Sequence, residues 1–347
     1  MPSVLGDRPL LAITQGDPSG IGPEILAKVA LGADPLPFRP LLLVEEAALA
    51  PLEAVLPHLA WDRLRFVGPG TGAEELAALP ETVVPAIDPL GDPRPLRFGE
   101  PGAADAAGAL AALDLGIELT SEGVAAALLT APVAKGVIAR HELPGFTGHT
   151  EYLAERCGLG RYGRDYLMAF LAPDLQVALL STHVPLATAI DLVTPERIVT
   201  ALSCLDRHAG GRIAVAGLNP HAGEEGLLGL EDGERITPAV AEARARGIDA
   251  YGPESADSLF ARARSGEFDW VLALYHDQGL IAVKTAAFGL ATNWTLGLPF
   301  LRTSVDHGTA FAIAGKGRAD ERPLAAAAET TVKLIQGELP RGQRRLS

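Results

Sequence analysis

Short, uninterrupted apolar runs separated by helix-length stretches dominate this chain, and that alternation restricts its possible folds more than any other feature. The runs fall at 10–14, 41–44, 64–67, 124–129, 166–171, 176–180, 213–216 and 270–274. Strands that are apolar on every residue are buried on both faces, which is the pattern of a parallel sheet covered by helices. Between them, 105–119 and 238–246 are Ala-rich with apolar residues at helical spacing. The expected class is therefore α/β with a largely parallel sheet. The segment 88–102 holds four prolines and three glycines and reads as a loop or an inter-domain crossing, and the tail PRGQRRLS reads as frayed.

Composition narrows the function. With 347 residues, 48% hydrophobic and 21% charged, the chain is long enough for two cores. Its 29 basic against 43 acidic side chains give a net charge of -14, so its field repels nucleic acid and anionic membranes, and an anionic substrate must be caught by a local basic cluster. Two cysteines, Cys157 and Cys204, supply neither a disulfide framework nor a thiolate zinc site. The start MPSVLGDRPLLAITQG has no basic region followed by a long apolar stretch, and no segment is apolar enough to span a membrane. A soluble cytoplasmic protein is expected.

Open parallel sheets bind ligands beyond the carboxyl ends of their strands, so the residues at the strand exits are the informative ones. Five runs end alike, in QGDPSG, APVAKG, STH, GLNPH and YHDQG, and three of these exits carry a histidine: His183, His221 and His276. Three imidazoles without a thiolate suit a borderline divalent cation such as Zn, Co, Ni or Mn, with positions left open for substrate. Asp277 can orient a ligand, take a proton, or simply cap a helix. His58, His141 and His208 lack such a context and are expected at the surface.

Two further segments suit anions. QGDPSGIGPE lies between a strand and a helix expected to start at Pro23, where backbone amides can meet an anion. Lys284 and Arg302 each stand alone in an apolar, Gly-rich stretch and are natural captors of a phosphate or carboxylate. Asp306, His307, Gly308 and Thr309, followed by the Gly315 turn, suit the ribose and adenine edges of a nucleotide, or a mere surface loop. By contrast, 68–73 fits G-x-G-x-x-A with Asp88 downstream, but the proline inside its turn makes an ordinary turn the better reading.

Taken in order, ITQGDPSGIGPEI, TAPVAKG, FTGHTEYLA, STHVPL, GLNPHAGEEG, YHDQGL and NWTLGLPFLRTSVDHGTA resemble the 4-hydroxythreonine-4-phosphate dehydrogenase family of pyridoxal phosphate biosynthesis over nearly the whole chain. A more distant likeness links GDPSGIGPE and DHGTAFAIAGKGRAD to the turn and nucleotide loop of isocitrate and isopropylmalate dehydrogenases. The resemblance implies two α/β/α domains with a cleft between them, not a G-x-G-x-x-G Rossmann domain: 1–137 with 294–347, and 138–293. It implies one divalent metal ion per site (Zn, Mg, Co or Mn) on His183, His221 and His276, and substrate contacts at His149, Thr150, Lys284, Asn293 and Arg302.

The implied reaction is NAD- or NADP-dependent oxidation of 4-phosphooxy-L-threonine, followed by decarboxylation to 3-amino-2-oxopropyl phosphate. The implied assembly is a homodimer with a shared active site, in which His276 comes from the partner subunit. A related dehydrogenase acting on D-threonate or D-erythronate 4-phosphate is the nearest alternative. A metal-dependent hydrolase or aldolase is the alternative of another class, and it would leave the nucleotide loop without a use.

Overall fold

The computed structural model describes residues 8–91 and 93–339; the tail expected to fray begins at Pro340 and lies outside them. The chain divides into two compact units, one formed by the residues up to Leu153 with Pro299–Ile335, the other centred on Ala154–Leu298. Against the expected boundaries, the first crossing comes after the GHT motif, so His149 and Thr150 belong to the first unit together with Arg302.

The first unit carries β1 (Leu10–Thr14), β2 (Arg39–Leu43), β3 (Leu64–Phe66), β4 (Val84–Ile87) and β5 (Ala127–Thr130), and, from the returning chain, β12 (Leu301–Ser304). Their order is β3-β4-β2-β1-β5-β12 and every pairing is parallel. β1, β2 and β5 are buried at every residue, as continuous apolar runs require. Leu11, Ile13, Leu42 and Leu129 pack with Ile25 and Leu26 of the helix Gly22–Leu31 and with Leu324 and Ala328 of the helix Arg322–Ile335.

The second unit carries β6 (Leu167–Ala172), β7 (Leu175–Leu179), β8 (Ile213–Ala216), β9 (Ala250–Glu254), β10 (Trp270–Ala273) and β11 (Thr292–Leu296), in the order β11-β6-β7-β10-β8-β9. The sheet is largely parallel, as expected, with β6 as the exception, antiparallel to both β11 and β7. Only Pro173 and Asp174 connect β6 to β7, and a connection that short closes a hairpin but cannot cross over to a parallel neighbour. β7, β10, β8 and β9 are parallel.

The stretches read as helical are helices at Ala103–Ser121 and Thr237–Ala245, and the helix after β1 takes Pro23 in its first turn. No helix among the described residues is long and apolar enough to cross a membrane.

Candidate active site

In the second unit the order of strands decides which side chains meet. Because β7, β10 and β8 are adjacent and parallel, the exits bearing His183, His276 and His221 lie at one end of three neighbouring strands. The β7 and β10 exits are tied together, Leu180 N–H donating to Ala273 O at 2.8 Å and Ser181 Oγ to Leu274 O at 2.9 Å. Gln278 links β10 to β8: its Oε1 accepts from Leu274 N–H at 2.7 Å, and its Nε2 donates to Gly217 O at 2.8 Å.

On this frame the rings of His183 and His276 stand 5.2 Å apart with an interplanar angle of 42°. Asp277 Oδ1 lies 2.7 Å from Nδ1 of His276, which fixes the ring and leaves Nε2 as the nitrogen able to ligate. Orientation of this ring is one of the three roles open to Asp277, and this contact suits it.

His221 is held differently. It begins a run of left-handed residues, with φ of 52° at His221 and Ala222, 80° at Gly223, 42° at Glu224 and 55° at Glu225. Asp232, fully buried, clamps the start of this loop by accepting from the backbone of Leu218 at 2.7 Å and of Asn219 at 3.0 Å, and from Asn219 Nδ2 at 2.9 Å. Among the described residues no three His, Cys, Asp or Glu side chains form a metal-holding group. Lys284 is exposed, two turns along the helix His276–Ala287, and Asn293 on β11 has a buried Oδ1 with no hydrogen-bond partner.

The first unit gathers the other expected substrate residues. Arg302 on β12 is 1% exposed and donates from Nη2 to Oγ1 of Thr130, the last residue of β5, at 2.6 Å. Burial pushes its pKa down to about 9, and the Glu151 carboxylate only partly offsets this. His149 and the buried Thr150 open the helix His149–Arg156. Burial holds the His149 imidazole well below its ordinary range, helped by the charges of Arg302 and Lys135, so it is neutral at pH 7. Its Nε2 is buried without a partner.

The two Gly-rich turns also come together. Ile21 N–H donates to Thr309 O at 3.0 Å, which joins QGDPSGIG to DHGTA. Gly16 has a φ of 67°, and a Cβ there would fall 2.2 Å from Pro132 O, so only glycine fits. Asp17 Oδ1 accepts from both the backbone and the hydroxyl of Ser19, and burial raises its pKa. Gly315 has a φ of 70° and lies against Phe98, while His307 Nε2 is buried without a partner.

Sequence reading missed Glu24 and Lys28. Glu24, fully buried, accepts from the backbone of Gly317 at 3.2 Å and Ala319 at 2.7 Å; Lys28 Nζ donates to the carbonyls of the same two residues at 3.2 and 2.5 Å. A four-residue acid–base spacing inside the apolar stretch GPEILAKVAL was the available signal, since charges there need partners.

Asp88 accepts from the backbone of Glu46, Leu90 and Gly91, and the space around Gly68, Gly70 and Gly72 is open, as at an ordinary turn. His58 and His141 are exposed; His208 is half-buried, on the helix Pro195–His208.

The chain is similar to known proteins over nearly its whole length. Residues 52–331 match the family model described as pyridoxal phosphate biosynthetic protein PdxA. The chain is 40% identical over 342 residues to 4-hydroxythreonine-4-phosphate dehydrogenase of Neisseria meningitidis serogroup A, covering 96% of this chain and 99% of that one. It is 38% identical over 335 residues to D-threonate 4-phosphate dehydrogenase of Salmonella typhimurium, covering 93% and 98%. The crystal structure of 4-hydroxythreonine-4-phosphate dehydrogenase from Klebsiella pneumoniae superposes with a TM-score of 0.82 at 37% identity, over 94% of this chain and all (100%) of that one. With the family model spanning most of its length and full-length relatives near 40% identity, the chain belongs to the PdxA family.

Proposed function

We propose that this protein oxidises the C3 hydroxyl of 4-phosphooxy-L-threonine with NAD or NADP, using a divalent metal ion, in the cytoplasm. The 3-oxo acid so formed loses carbon dioxide to give 3-amino-2-oxopropyl phosphate. The observation that carries this reading is the His183–His276 pair, oriented by Asp277 at the exits of adjacent parallel strands, in a chain related over its full length to 4-hydroxythreonine-4-phosphate dehydrogenases.

The residues fit a nitrogen-rich cation site in part. His183 and His221 would supply two ligands and His276, from a neighbouring chain, the third. When bound, the cation makes the substrate hydroxyl more acidic and stabilises the enolate left by decarboxylation, while the nicotinamide accepts the hydride. Asp277 keeps the His276 proton on Nδ1 and Nε2 open. Arg302 and neutral His149 present N–H donors, with Thr150, to the phosphate, and Lys284 and Asn293 engage the rest of the substrate. The unpartnered His307 Nε2, with Asp306, Gly308, Thr309 and Gly315, would meet the nucleotide.

A homodimer with a shared site is part of the proposal. Exposed apolar residues follow each histidine: Leu186 after His183, Leu227 and Leu230 after His221, Ile281 and Phe288 after His276. Leu227 is 80% and Phe288 86% exposed, apolar surface that a second copy would cover.

The test follows reduced-nicotinamide absorbance with 4-phosphooxy-L-threonine and with D-threonate and D-erythronate 4-phosphates, before and after chelation. Turnover of the first, abolished by chelation and restored by Zn, Co, Mn or Mg, is expected. Activity confined to D-threonate 4-phosphate, the substrate named for the Salmonella relative, would replace the proposal with that second reading. Turnover untouched by exhaustive chelation would refute the metal site.

A further inference from the structure

Lys135 has no role in the function proposed so far, yet it stands among the groups assigned to the phosphate. It opens the helix Lys135–His141, five residues beyond Thr130, the partner of Arg302. The geometry is clearest at Gly148, the residue before His149. A Cβ built there would lie 3.0 Å from Lys135 Nζ and 3.2 Å from Glu151 Oε2, so ammonium and carboxylate face one small space over the start of the next helix. The same ammonium is among the charges that keep the buried His149 neutral, after burial and Arg302.

Several donors meet in this cluster. Arg302 is buried and donates to the Thr130 hydroxyl near the Glu151 carboxylate, and Lys135 adds a second cation. His149 Nε2 is buried with nothing to bond. A tetrahedral dianion answers all of this: it brings several acceptor oxygens and two negative charges to one rigid guanidinium, one mobile ammonium and one imidazole. A planar carboxylate brings half the charge and fewer acceptors.

We propose that Lys135 is a further substrate-binding residue, which closes with Arg302 and His149 on the phosphate monoester. This rests on the dehydrogenase reading for the identity of the substrate, but phosphate binding tests it separately. A flexible side chain is suited to such a movement. Gly148 keeps the space open, since any Cβ there would crowd the ammonium.

The experiment measures inorganic phosphate binding by calorimetry on the full-length protein, with steady-state kinetics on the 4-phosphate substrate, for wild type, Lys135→Met, Lys135→Arg and Glu151→Gln. Lys135 is exposed, so its replacement leaves the core intact. Lys135→Met is expected to raise the phosphate Kd and the substrate KM about tenfold or more, with kcat within about twofold, as for loss of a charge-assisted contact used in ground state and transition state alike. Lys135→Arg should recover most of the loss, and Glu151→Gln should tighten phosphate several-fold by removing a neighbouring negative charge. Acetate should bind weakly and indifferently to all four proteins.

An unchanged phosphate Kd in Lys135→Met, or no phosphate binding by wild type, would overturn the proposal. So would an equal loss of acetate and phosphate affinity. Nicotinamide reduction by the wild type reports on the dehydrogenase reading independently: a protein that binds phosphate through Lys135 but reduces no nicotinamide would retain the pocket and lose the reaction.

Discussion

Replacing Lys28 by Met tests whether the helix Gly22–Leu31 holds the Gly-rich loop in place. The side chain is 12% exposed, its ammonium lies 3.0 Å from the fully buried Glu24 carboxylate, and it donates to Gly317 O and Ala319 O. Met keeps the length and apolar stem but removes the charge and both donors. Two hydrogen bonds from a charged donor contribute about 1.5–3 kcal/mol each before entropy is counted. A buried carboxylate left without its cation costs about 3–5 kcal/mol. These costs overlap, and Glu24 keeps its two backbone donors from Gly317 and Ala319, so the lower part of the range applies, about 3 kcal/mol. Urea denaturation should show this loss, and amide exchange at Gly317 and Ala319 should quicken beyond the global change. The double variant Glu24→Gln/Lys28→Met should be less destabilised than the two single losses summed, because the orphaned charge is gone. A Lys28→Met protein within about 0.5 kcal/mol of wild type, with unchanged exchange at both amides, would refute the clamp.

Asp17→Asn carries a pH signature. Burial raises the folded-state pKa of Asp17 above its unfolded value, so the native protein binds the proton more tightly and its stability falls as pH rises between the two values. Asn carries no such penalty; urea midpoints from pH 4 to 8 should therefore shift in favour of the variant as pH rises, and a pH-independent difference would contradict the assignment. Arg302→Lys keeps a cation but loses the fork that spans Thr130 and a ligand, so KM for the phosphorylated substrate should rise about tenfold. An unchanged KM would make Arg302 purely structural.

The site was legible where one residue type recurred at one topological position. Three strand-exit histidines could be chosen without knowing that β10 lies between β7 and β8, because every parallel strand presents its carboxyl end to the same side. Strands with mixed sequences were harder. β12 reads LRTS and β9 reads AYGPE, neither a continuous apolar run, and both owe their place to neighbours distant in sequence. Arg302 was visible as a lone cation, but its burial beside Thr130 was not, since that depends on the pairing of β12 with β5. Glu24 and Lys28 were missed because the groups that bury them, Gly317 and Ala319, come from a loop far along the chain. His208 looked like a surface residue and is half-buried, because the helix that carries it packs along an apolar face up to Leu205.

The left-handed run from His221 to Glu225 has an energetic meaning for ligand capture. Four of its five residues carry a Cβ, each at a cost of about 1–2 kcal/mol in that conformation. The Asp232 clamp and the surrounding backbone meet that cost during folding, before any ligand arrives. A loop already bent into an unfavourable shape has little conformational freedom left to surrender, so association at His221 need not order it. The expense of arranging this imidazole falls on the stability of the second unit and is spared from the affinity of whatever binds there.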